Sequence, residues 1–110
     1  MTPPYIPAAG DIVWIDFNPQ AGHEQSGHRP AVVLSPAAYN SRAGLIVCCP
    51  TTTRVNGYPF EVRLSGQTQS VALADQVKSF DWRARKATRK AQATSAELAE
   101  IRAKLRALIG

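Results

Sequence analysis

Gly10-Asp11-Ile12-Val13-Trp14-Ile15-Asp16-Phe17 and Ala31-Val32-Val33-Leu34 are two strand-like runs, and the polar stretch His23-Glu24-Gln25-Ser26-Gly27-His28-Arg29-Pro30 lies between them. The first run sets Val13, Ile15 and Phe17 on one face at period two; the second is β-branched and apolar, so both read as strands. A connection of about ten residues exceeds the roughly 2–5 of ordinary hairpin loops, and long connections in small domains are more often functional than idle. This one gathers carboxylate, amide, imidazole and guanidinium groups, so the chemistry is expected there.

Downstream, Ser35-Pro36 opens a short helix or turn through Ala37, Ala38 and Tyr39, closed by Asn40 and Gly44. Leu45-Ile46-Val47-Cys48-Cys49 is a continuous apolar run expected to form a central strand buried on both faces and stopped by Pro50. Thr51-Thr52-Thr53-Arg54 follows at the strand end, and Asn56-Gly57 supplies a turn. Phe60-Glu61-Val62-Arg63-Leu64 alternates as a half-exposed antiparallel strand, Ser65-Gly66-Gln67 turns the chain, and Val71–Ala74 and Val77–Phe80 read as further short strands. At the end, Thr94-Ser95-Ala96-Glu97 has capping-box spacing. Leu98, Ile101, Leu105 and Leu108 then form one helical stripe, with Glu100 and Lys104 paired on the outside. Many short strands and one late helix define an α+β, mainly β fold: a small, strongly bent antiparallel sheet or barrel with a C-terminal helix.

A chain of 110 residues is expected to be a single domain, 1–110, large enough to bury about two-thirds of its unfolded surface without staples. Met1-Thr2-Pro3-Pro4-Tyr5 has no signal-peptide character and no apolar run approaches the roughly 20 residues of a membrane span, so a cytoplasmic protein with no membrane association is expected. Cys48 and Cys49 are adjacent and point to opposite faces of a strand, and there is no CxxC spacing; neither a disulfide framework nor a metal site is expected. The net charge of +5 is concentrated. Between Lys78 and Lys90, six basic residues meet only Asp81, while seven basic and seven acidic residues balance elsewhere. Such a stripe is the electrostatic footprint of a polyanion partner.

Five segments in order carry a resemblance that covers essentially the whole chain. They are 10–17, Glu24 through Ser35, Pro50-Thr51-Thr52-Thr53, Gly57-Tyr58-Pro59-Phe60-Glu61-Val62 and Ala72-Leu73-Ala74-Asp75-Gln76-Val77-Lys78-Ser79. Together they resemble the MazF/PemK family of toxin endoribonucleases, close to the MazF branch. The resemblance implies an SH3-like barrel with the terminal helix attached, a homodimer, and an acidic MazE-like antitoxin whose flexible tail occupies the RNA groove. It further implies metal-free and cofactor-free, ribosome-independent cleavage of single-stranded mRNA at ACA or a similar short motif. One departure is the short, uncharged Gln67-Thr68-Gln69-Ser70 connection, where close relatives are expected to carry a longer, charged one.

Metal-free RNA cleavage uses the substrate's 2′-hydroxyl as nucleophile, so the protein must supply a base, an acid and stabilisers for the phosphate. By the resemblance, Arg29 is the phosphate-binding arginine, and its planar, permanently charged fork suits that task better than proton abstraction. Thr52 matches the second catalytic position, a hydroxyl on a stiff β-branched body. Glu24 matches the base or base-orienting group, with His28 its chemical rival because imidazole titrates in the useful range. Gln25, Asn40 and Gln76 carry amides suited to base edges, Tyr58, Phe60 or Trp14 offers a ring for stacking, and His28 and Lys78 complete the expected RNA-binding set. A CcdB-like gyrase-binding poison would need a C-terminal Trp-Gly-Ile, whereas this chain ends Ala107-Leu108-Ile109-Gly110. A noncatalytic SH3-like RNA-binding module would explain the basic stripe but not the loop and the threonine triplet together.

Overall fold

The computed structural model describes residues 4–17, 27–66 and 69–110. Along them run β1 (Asp11–Asp16), β2 (His28–Val33), α1 (Ala37–Ala43), β3 (Leu45–Thr52), β4 (Glu61–Leu64), β5 (Ser70–Leu73), β6 (Lys78–Asp81), β7 (Thr88–Gln92) and α2 (Ser95–Ile109). The pairings are antiparallel, in the order β4-β5-β3-β2-β1-β7, with β6 also beside β3. β3 organises the curl: β2 lines one edge, while the other edge takes β6 opposite Leu45–Cys48 and then β5 opposite Thr51 and Thr52. The result is the expected mainly β architecture, a curled antiparallel half-barrel closed by a C-terminal helix.

Strand parity explains the core. Val13, Ile15 and Phe17 fall into one apolar layer with Ala31, Val33, Ile46, Cys48, Phe80 and Trp82. Ile12, Val32, Leu34, Cys49, Val62, Leu64, Ala72 and Ile101 form the other. Neighbouring strand residues point to opposite faces, so β1, β2 and β3 are apolar on both, which is why 45–49 reads as an uninterrupted run. Cys48 and Cys49 are free and sit in different layers, and burial pushes each thiol up to about 12.

The capping box forms as its spacing requires. The Glu97 N–H donates to the Thr94 hydroxyl oxygen (3.1 Å) and the Thr94 N–H to Glu97 Oε1 (2.9 Å). Glu97 Oε2 also accepts the Ser65 N–H (2.6 Å), tying the start of α2 to the end of β4. Burial raises the Glu97 carboxyl, but the hydrogen bonds from Thr94 and Ser65 together hold it below its ordinary range. Ile101 is fully buried with Leu98 and Leu105 against the same layer, while Leu108 at the helix end is exposed. Lys104 lies 3.5 Å from Glu100, as the i,i+4 spacing predicts, and also donates to the carbonyls of Pro59 and Glu61. Among the described residues no helix is long and apolar enough to cross a membrane.

Two expectations are corrected. Pro50 does not stop the strand; β3 runs through it to Thr52. On that edge β6 pairing ends at Cys48 and β5 pairing begins at Thr51, so the proline sits where its missing N–H is tolerable. β7 was not legible at all, because all five of its residues are exposed and no apolar alternation marks it.

Candidate functional site

β2 begins at His28, inside the stretch expected to be loop, and this decides which of its side chains work together. β2 and β3 pair from Ala31 opposite Pro50 to Val33 opposite Cys48, and just beyond that stretch lie Arg29 near the start of β2 and Thr52 at the end of β3. Both line a cleft of about 580 Å³ with Thr53, Arg54, Asn56, Tyr58, Glu61, Leu73 and Gln76. A guanidinium and a hydroxyl are therefore held on adjacent strands, not on a loop, at the mouth of an open groove. The Thr52 oxygen accepts the Arg54 N–H (3.1 Å), a bond that uses one lone pair of the hydroxyl and not its proton.

The other candidate residues divide by position. Gln76 and Tyr58 share the cleft, Gln76 on the turn closed by its N–H to the Leu73 carbonyl (3.0 Å). His28 is one residue from Arg29 on the same strand, so it points to the opposite face, where it leans on Trp14 with ring centroids 5.7 Å apart. Lys78 is half-buried on β6 opposite Cys48. Glu24 and Gln25 lie outside the described residues.

Asn40 is a correction. Expected to read a base edge, it is instead wholly buried in α1. Its Oδ1 accepts the Ser35 hydroxyl, and its Nδ2 donates to the carbonyls of Pro7 (2.8 Å) and Ser35 (2.9 Å). The Asn40 carbonyl also accepts the Trp82 indole N–H (2.8 Å). The residue is an internal brace that leaves no edge for a ligand.

Arg54 is the cleft residue that sequence reasoning missed, although a signal existed. It stands two positions after Thr52, a threonine whose hydroxyl is spaced to accept the N–H of the second residue on in a turn. The basic stripe proves to be a built surface: Arg83 lies over Trp82 (4.3 Å), Arg85 over Phe80 (4.5 Å) and Lys90 over Trp14 (5.6 Å). Arg85 also donates to the Asp16 carbonyl (3.0 Å), and Arg89 to Gln92 Oε1 (3.0 Å).

With this geometry in place, comparison with known proteins is decisive. The family model described as "PemK-like, MazF-like toxin of type II toxin-antitoxin system" matches residues 8–109. The chain belongs to that toxin family. It is 58% identical over 107 residues to the endoribonuclease toxin MazF of Escherichia coli K12, covering 96% of each chain. The crystal structure of MazF from Deinococcus radiodurans superposes with a TM-score of 0.90 at 54% identity, covering 97% of this chain and 99% of that one. A MazE–MazF crystal structure from the same organism matches with a TM-score of 0.86 at 48% identity, covering 97% and 98%. The family's expected fold is thus the fold observed, and the chain is a toxin endoribonuclease of the MazF type.

Proposed function

We propose that this endoribonuclease cuts single-stranded mRNA at ACA or a near variant, without a divalent metal, by attack of the substrate's own 2′-hydroxyl. The observation that carries the reading is that Arg29 on β2 and Thr52 at the end of β3 line one open cleft. In this reading Glu24 takes the 2′-proton, and the 2′-oxygen bonds to phosphorus as the P–O5′ bond breaks. The leaving 5′-oxygen gains a proton, and the products carry a 2′,3′-cyclic phosphate and a 5′-hydroxyl. Arg29 meets the negative charge that grows on the phosphate, where a preorganised cation acts more strongly than in water. The Thr52 hydroxyl donates to the same phosphate. Gln76, Tyr58 and Gln25 hold the flanking bases, with His28 and Lys78 outside the cleft meeting more distant nucleotides.

The protein acts in the cytoplasm, where loss of mRNA stops translation and growth. A two-fold dimer repeats the cleft and the basic stripe and so lengthens the groove for RNA. The Deinococcus radiodurans MazE–MazF complexes support an antitoxin partner; in this reading its acidic segment folds on docking and occupies the same positive surface. Replacing the nucleotide 5′ to the cut by its 2′-deoxy form tests the chemistry. The expected result is binding with no cleavage at that position, whereas cleavage at an undiminished rate would refute 2′-hydroxyl attack.

The stripe has its own test. If it meets phosphates, log affinity for uncleavable RNA falls with log salt at about −0.7 per phosphate neutralised. Lys86 has a positive φ of 56°, so Lys86→Gly suits its backbone, and combined with Lys90→Ala it is expected to flatten that slope. An unchanged slope returns the stripe to a role in solubility.

A further inference from the structure

Tyr58 is the large aromatic residue in the wall of the cleft that holds Arg29 and Thr52, and it is 47% exposed. The turn that carries it is tied down, since the Asn56 and Gly57 N–H groups donate to the two carboxylate oxygens of Glu61 (3.1 and 3.0 Å). Its ring leans on Phe60 with centroids 5.7 Å apart. At the far end of the ring, the phenol donates to Asp75 Oδ2 (2.9 Å) across the cleft wall. The ring is thus fixed at its base by the turn, along one face by Phe60 and at its tip by a carboxylate.

Asp75 supplies the second observation. Its Oδ1 is buried and accepts no hydrogen bond among the described residues, so the Tyr58 phenol is the donor that its side chain has. A neutral O–H on a carboxylate makes a charge-assisted bond, stronger than one between neutral partners. Accepting that bond, Asp75 pushes the phenol above its ordinary value, with burial adding to the effect. A proton held in this way is poorly placed to serve the leaving 5′-oxygen. What the arrangement offers a substrate is a rigid ring face.

We propose that Tyr58 is the stacking platform for the base beside the scissile phosphate, and that Asp75 is the positioning residue that locks the platform in place. The inference rests on the RNA-cleaving reading above and deepens it. Asp75 acts through Tyr58 and does not itself touch RNA. A base finds a surface already ordered, and stacking of one base on an aromatic ring is a substantial share of single-strand affinity.

The test uses RNA made uncleavable by a 2′-deoxy nucleotide at the cut, with 2-aminopurine placed at each flanking position in turn, and a cleavable RNA for kinetics. Wild-type protein is expected to quench the fluorophore at one of the two positions beside the scissile phosphate. Tyr58→Leu should abolish that quench and raise KM about tenfold, within the range for loss of one stacked base, with kcat changed less. Asp75→Ala should weaken the quench and raise KM in the same direction, and Asp75→Asn, whose side-chain oxygen still accepts the phenol, should restore both. In a Tyr58→Leu background, Asp75→Ala should add nothing. Wild-type quenching and KM in Asp75→Ala, or full additivity of the two changes, would overturn the proposal. Because the quench is read on uncleaved RNA, absence of cleavage by wild-type protein would sink the catalytic reading separately.

Discussion

Arg29→Ala is expected to lower turnover by about 100-fold or more, the loss typical of removing one preorganised stabiliser of transition-state charge. Binding of uncleavable RNA should fall much less, because the developing phosphate charge is absent from the ground state. Thr52→Ala should fail in the same way and Thr52→Ser should recover most of the rate, since the hydroxyl is what the cleft contributes there. Single-turnover cleavage beside equilibrium binding on the same RNA separates the two effects. Wild-type turnover in either alanine variant would remove that residue from the chemistry.

The second large effect lies away from the chemistry. Asn40→Ala strips the partner from the Ser35 hydroxyl and from the carbonyls of Pro7 and Ser35 in a fully buried setting. Each buried polar group left unsatisfied costs about 1–3 kcal/mol. That compares with a total stability of about 5–15 kcal/mol for a domain. For chains near this size, each kcal/mol lowers Tm by about 4–8 °C, so a drop of more than 10 °C is expected in calorimetry. Below saturation of RNA, the folded fraction of this variant should bind as wild type does. A variant with unchanged Tm and lost RNA binding would reverse the assignment and return Asn40 to the surface.

The contrast between these two residues shows what the sequence could convey. Arg29 and Thr52 were singled out because the resemblance pointed to both, and both line one cleft. The capping box of Thr94 and Glu97 was legible because its partners are three residues apart and need no tertiary context. Asn40 misled because one of its partners, the Pro7 carbonyl, lies 33 residues away, and only the packing of α1 brings them together. His28 was grouped with Arg29 as loop. Once β2 is seen to start at His28, strand parity separates the two onto opposite faces. β7 escaped for a different reason. It is an exposed edge strand whose pairing to β1 leaves no apolar signature, and its Arg89 and Lys90 are the kind of charge that edges carry against further pairing.

The central claim is metal-free cleavage by the substrate's own hydroxyl in the Arg29–Thr52 cleft. Purified protein incubated with a defined single-stranded RNA in excess EDTA, followed by mapping of both new ends, tests it most directly. The account predicts undiminished cleavage at a short motif, leaving a 2′,3′-cyclic phosphate or 3′-phosphate and a 5′-hydroxyl. Cleavage that needs added Mg²⁺, or products bearing a 5′-phosphate, would contradict it.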